Sequence, residues 1–174
     1  RIVVSDLTKS RTPEPPQEIL SDRLEDLIED DEIDIVVELI GGIERANQLV
    51  TAAIEKGKTV VTANKALLAE HGKELFALAE EKGVSIYFEA AVAGGIPIIK
   101  TVQESLVGNN IESMIGIING TSNYILTRMT EANLSYEEAL GEAQNLGYAE
   151  ADPALDVNGG DAAHKAVILA SLSY

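Results

Sequence analysis

Apolar positions in the first half of the chain follow two alternating spacings. Short continuous runs at Ile2–Val4 and at "IDIVVELI", Ile33–Ile40, have the length of strands, and the second predicts a strand covered on both faces, as in a parallel sheet. A polar, proline-rich loop from Ser5 to about Pro16 and a short acidic helix over Asp22–Glu29 separate them. After Gly41-Gly42 the spacing becomes helical, with Ala46, Leu49, Val50, Ala53 and Ile54 on one face until Gly57. "KTVVTAN" is the next strand, and Asn64 is placed to cap a helix whose apolar positions include Leu67, Leu68, Leu75, Phe76 and Ala79. That helix ends at Lys82-Gly83, and "VSIYFEA" is another strand. This β-α-β-α-β alternation predicts an α/β fold with a doubly wound, Rossmann-type sheet.

Beyond Ala91 the pattern changes. "VAGGIP" reads as a glycine-rich turn, with Pro97 opening a helix to about Leu106. "IESMIGIING" predicts one long strand, and Thr121–Thr130 a helix begun by a Thr-Ser cap. Ser135 and Glu138 form a capping box for a helix with Leu140, Ala143 and Leu146 inward and Gly147 at its end. Helices and a long strand without regular alternation predict part of an α+β domain. The expected division therefore falls near residue 100, with a doubly wound α/β part over residues 1–99 and an α+β part over residues 100–174.

Charge and composition narrow the partners. Thirteen Lys and Arg against 29 Asp and Glu give a formal charge of −16, which repels phosphate backbones and anionic membranes. No run approaches the roughly 18 apolar residues of a membrane span. Absence of cysteine removes disulfides, thiolate metal sites and thiol nucleophiles, and fits a reducing, cytoplasmic setting. The chain opens at Arg1 directly on an apolar run and closes at Tyr174 in a helical pattern, so a piece of a longer protein is expected.

Ligands of open parallel sheets bind outside the carboxyl ends of the strands. Asp6, Ile40-Gly41-Gly42, Thr62–Lys65 and Glu89 fall there. Asp6 stands where an acid commonly meets a ribose hydroxyl, whereas the nearby Lys9 and Arg11 suit a 2′-phosphate, so NAD and NADP both remain open. Lys65 begins a helix, against the positive helix terminus, which suits a lysine used by a ligand or in proton transfer. "NGTSNY", Asn119–Tyr124, places free amides at a helix start, either to hold a carboxylate or simply as caps. "GYAEADPALDVNGGDAAHK", Gly147–Lys165, gathers Glu150, Asp152, Asp156 and Asp161 ahead of Lys165. Its spacing does not fit an EF-hand calcium loop; a solvated acidic loop is the plain alternative, against which Asp161 and Lys165, four apart, share a helix face and can pair.

"VVTANKALLA", "YFEAAVAGGIPIIK", "NGTSNYIL" and "GYAEADPALDVNGGDAAHKAVILA" together resemble homoserine dehydrogenase, in order and spacing from about Ile33 to Ala170. The resemblance implies reversible NAD- or NADP-dependent reduction of L-aspartate 4-semialdehyde to L-homoserine, on the route to threonine and methionine. It makes residues 1–99 a partial nucleotide-binding domain and residues 100–174 a partial substrate-binding and dimerisation domain. It makes Lys65 and Lys165 the active-site lysines, either of which could exchange the hydroxyl proton, with Asp161 orienting substrate and tuning Lys165. Glu150 and Asp156 become acids for the substrate ammonium, and Thr121 and Tyr148 line the same pocket. Ile40, Gly41 and Lys65 become cofactor contacts. Glu89, Val92, Gly94 and Ile96 become the segment holding a monovalent cation, typically sodium, mainly through carbonyl oxygens. A homodimer or higher homo-oligomer is implied, with a small-molecule substrate and no nucleic acid or membrane partner. The family's glycine-rich first βα unit is expected to lie outside this chain, so weak cofactor binding by the isolated piece is expected as well. The alternatives are a non-catalytic fragment of such an enzyme, or another NAD(P)-dependent amino-acid aldehyde reductase.

Overall fold

The computed structural model describes all 174 residues, which form two units, Arg1–Ile96 and Pro97–Tyr174. In the first unit β1 (Ile2–Val3) pairs in parallel with β2 (Leu20–Ser21), and α1 (Glu25–Ile28) follows. A separate three-stranded parallel sheet has the order β3 (Ile35–Glu38), β4 (Thr59–Thr62), β5 (Ile86–Tyr87). Its register pairs Val36 with Val60 and Val60 with Ile86. The α/β class with parallel strands is as the alternation predicts. The expected single sheet is instead two, because Ile2 and Val3 ladder with Leu20 and Ser21 and not with β3. A groove of about 940 Å³ separates β1 from β3.

The core lies on one side of β3. Strand residues alternate faces, so Val36 packs inward while Ile35 and Val37 stand 57% exposed. The reading of β3 as covered on both faces therefore fails, and Ile2 likewise is exposed. α2 (Glu44–Glu55) buries Ala46, Leu49, Val50, Ala53 and Ile54, the face its spacing indicates. α3 (Lys65–Lys82) adds Leu67, Leu75 and Ala79, while Phe76 is only partly covered and tilts against Phe88. Gly83, left-handed at φ 68°, closes α3 as its position predicts. The buried Lys58 gives its Nζ hydrogens to the carbonyls of Asp30 and Ile33, at 2.7 and 2.8 Å, tying the entry of β3 to that of β4.

In the second unit, α4 (Ile98–Lys100) passes into a wider π turn over Thr101–Ser105, closed by the Leu106 amide on the Thr101 carbonyl. Residues 111–118, expected as a long strand, form no ladder. A strand needs a partner for its amides and carbonyls, and here Ile115 is 96% and Ile117 76% exposed. α5 (Gly120–Glu131) and α6 (Tyr136–Asn145) pack through Ile125, Ala139 and Ala143. The Ser135–Glu138 capping box forms as the sequence indicates. Leu146, expected inward, is exposed, because the chain leaves α6 through Gly147 at φ 78°. α7 (Ala154–Val157) and α8 (Gly160–Ser173) follow.

Candidate active site

In the second unit an open cavity of about 670 Å³ is lined by residues of two separate motifs, among them Thr121, Tyr148, Asp156, Asp161 and Lys165. Lys165 is one turn into α8 from Asp161, and the pair closes at 2.6 Å. A second Nζ hydrogen goes to the Ile118 carbonyl at 2.7 Å. Of the three ammonium hydrogens, one is left for the cavity that Lys165 lines. The ion pair is largely shielded from solvent, where charge-assisted hydrogen bonds are strong.

Asn119, which sequence reasoning passed over, organises this cluster. Its Oδ1 accepts the Ser122 amide at 2.7 Å and caps α5, so the cap is Asn119 and not the expected Thr-Ser pair. Its Nδ2 donates to Asp156 Oδ1 at 2.8 Å and to Asp161 Oδ2 at 2.9 Å. Those two hydrogens exhaust the amide, leaving Asp156 Oδ2 without a protein donor. The hydroxyls of Thr121 and Ser122 reach the carbonyls of Tyr148 and Asp156, drawing the acidic loop onto the start of α5. An asparagine just before a glycine-led helix was the available signal for the cap. The bridges to Asp156 and Asp161 span sequence separations of 37 and 42 and carry no local signature.

Tyr124 and Tyr148 meet on the wall of the cavity with ring centroids 4.9 Å apart and planes tilted by 54°. Desolvation, then the Glu142 carboxylate, holds the Tyr124 phenol above its ordinary value of 10.0. Glu150 does not line this cavity. Its side chain is exposed, and its carbonyl accepts from Gln144.

The first unit carries a smaller cavity, of about 300 Å³, at the carboxyl ends of β3 and β4. Gly41, Gly42, Asn64 and Lys65 line it, and both glycines are left-handed, at φ 70° and 68°. No atom stands within 4 Å of where a Cβ would sit on either glycine, so the backbone there is bare to an approaching ligand. Strand ends, bare glycines and a lysine at a helix start fit a dinucleotide. Asn64 caps α3 through the Leu67 amide, as its position predicts. Ile40 is exposed beside this turn. Asp6 lies beyond β1 outside the cavity, and its carboxylate accepts the Thr8 hydroxyl and amide, which hold it below the ordinary aspartate value. Glu89 begins a 3₁₀ turn, Val92 is buried, and Ala93 and Gly94 are both left-handed in a turn closed by the Ile96 amide.

Known proteins give this geometry its context. A model described as the NAD-binding domain of homoserine dehydrogenase matches residues 1–89, and one described as homoserine dehydrogenase matches residues 97–174. The homoserine dehydrogenase of Bacillus subtilis is 51% identical over all 174 residues, and the chain spans 40% of that relative's length. A crystal structure of a homoserine dehydrogenase from Thiobacillus denitrificans superposes with a TM-score of 0.86 at 57% identity, covering 89% of this chain and 36% of that one. A hyperthermophilic archaeal homoserine dehydrogenase in complex with NADPH matches at a TM-score of 0.80 and 36% identity, covering 87% and 47%. With both units matched in sequence and in fold, the chain belongs to the homoserine dehydrogenase family.

Proposed function

We propose that this chain supplies the strand-end cofactor turn and the substrate pocket of an enzyme that interconverts L-aspartate 4-semialdehyde and L-homoserine with NAD or NADP. The observation that carries the reading is the Lys165–Asp161–Asn119–Asp156 cluster at the start of α5. The substrate is a small zwitterion with one reactive carbonyl. Asp156 offers a carboxylate oxygen to its ammonium, and the first amides of α5, beside Thr121, suit its carboxylate. Tyr148 walls the pocket, and Glu150, in the same acidic segment as Asp156, is assigned as a second acid for the ammonium. The nicotinamide, when bound, supplies a hydride to the aldehyde carbon. The carbonyl oxygen then gains charge, which the Lys165 ammonium stabilises and quenches by giving up a proton, while Asp161 keeps that ammonium oriented. Ile40, Gly41 and Lys65 meet the cofactor in this reading, with Asp6 as an acid for a ribose hydroxyl. NADPH bound to the archaeal relative supports a nicotinamide dinucleotide of either kind.

The same proposal assigns a monovalent cation, sodium, to the carbonyls of Glu89, Val92, Gly94 and Ile96, supported by the tight left-handed turn at Ala93-Gly94. It also assigns residues 1–99 and 100–174 to nucleotide-binding and substrate domains, and takes the enzyme as a cytoplasmic homodimer of threonine and methionine biosynthesis. The test uses the full-length protein bearing this sequence. Lys165→Ala is expected to lower kcat for homoserine oxidation by about a hundredfold or more with dinucleotide affinity unchanged. Lys65→Ala is expected to raise the KM for the dinucleotide. Near-normal turnover without Lys165 would refute the assignment.

A further inference from the structure

Glu38 ends β3 and is only 1% exposed, yet no lysine or arginine pairs with it. Burying a carboxylate is costly unless donors surround it, and here three do. Oε1 accepts the amides of Ile40 and Gly41 at 2.9 and 3.2 Å, and Oε2 accepts the Thr62 hydroxyl at 2.5 Å. An apolar residue would fill this strand end without that cost, so the acid has a task in what it holds. Thr62 Oγ1 in turn accepts the Asn64 amide at 3.0 Å, and Asn64 Nδ2 donates to the Gly42 carbonyl at 2.6 Å. Through these contacts one buried acid fixes both the 40–42 turn and the start of α3, two walls of the cavity at the strand ends.

We infer that Glu38 is a positioning residue for the dinucleotide, one that turns the Ile40 and Gly41 amides inward so that the turn receives the hydroxyl- and amide-bearing nicotinamide riboside half and not the phosphates. This rests on the proposed cofactor role of that turn. Amides at a glycine-rich turn ordinarily bind anions. With these two spent on Glu38, the 40–41 turn offers a ligand carbonyl oxygens and bare Cα faces, which suit ribose hydroxyls and a carboxamide NH₂ better than phosphate, and leaves Lys65 as the cation of the cavity. Loss of the carboxylate frees the Ile40 and Gly41 amides from their anchor, and the turn loses its single arrangement.

The experiment compares wild type, Glu38→Ala and Glu38→Gln in the full-length protein. It measures affinity for NADH, NADPH and the ADP-ribose fragment of each, together with kcat and KM for homoserine. Glu38→Ala is expected to weaken dinucleotide binding about tenfold while the ADP-ribose fragments and the homoserine KM stay unchanged. Glu38→Gln, which keeps one acceptor oxygen for the amides, is expected to recover most of the loss. Where Glu38→Ala does not fold, Glu38→Gln and Thr62→Val must show the same split to a smaller degree. Equal weakening for the fragments, or unchanged dinucleotide affinity in a folded variant, overturns the inference. A wild type that binds dinucleotide without oxidising homoserine defeats the proposed activity alone, since the affinity split still decides the role of Glu38. A wild type that binds no dinucleotide overturns both.

Discussion

Glu142 on α6 and Arg128 on α5 meet at 2.8 Å, and Tyr124 joins them. The guanidinium first, then the phenol, keeps the Glu142 carboxyl below its ordinary value of 4.5. A group depressed in the folded state stabilises above its unfolded value, and that stability is lost as pH falls through the folded value. Glu142→Gln is therefore expected to lower the melting temperature near about pH 7, with the difference closing towards ~pH 3. Both side chains are 35% exposed, so the effect is modest and salt weakens it. A difference that widens on acidification would contradict the assignment. At this scale the sequence shows pairs made within one turn and little else. Asp161 and Lys165 are legible because a helix sets residues four apart on one face. Asn119 is not, since its acids arrive from another loop.

Among the elements, α2 delivers the whole apolar face that its spacing spells out, because the neighbours of that face, α1, β3, β4 and α3, all belong to the same run of chain. Ile54→Ala, at a fully buried position, is expected to cost about 3 kcal/mol in urea unfolding. Leu146→Ala, on an exposed residue, is expected to stay within about 0.5 kcal/mol of wild type. The contrast matters because periodicity alone puts both inside. What pattern omits is where the chain turns. The amides of Tyr148 and Ala149 fold back onto the Ala143 carbonyl, and this reversal leaves Leu146 on the solvent side. Residues 111–118 teach the same lesson for strands, since alternation describes a strand's faces and cannot supply the neighbour that makes it one. The opposite faces of β3 differ for that reason too.

For the molecule as a whole, acid excess and exposed apolar residues act against each other. A charge of −16 keeps copies apart, while Ile115 and Ile117 favour their contact. The chain is expected to run larger than 18.5 kDa in light scattering, increasingly so as salt screens the repulsion. Replacing Ile115 and Ile117 together by Lys is expected to return it to a monomer; an unchanged mass would place the contact elsewhere. The hydrogen-bond hub at Asn119 has a slower consequence. An asparagine followed by glycine is prone to lose its amide, because the glycine nitrogen can reach the side-chain carbonyl and close a succinimide ring. In the folded molecule the Ser122 amide and two acids hold that side chain, so cyclisation waits for the start of α5 to open. Deamidation at Asn119 is then a clock for local opening, and each tick leaves a third carboxylate between Asp156 and Asp161. Peptide mapping at Asn119, set against the exposed Asn158-Gly159 pair, reads out how often the pocket comes apart.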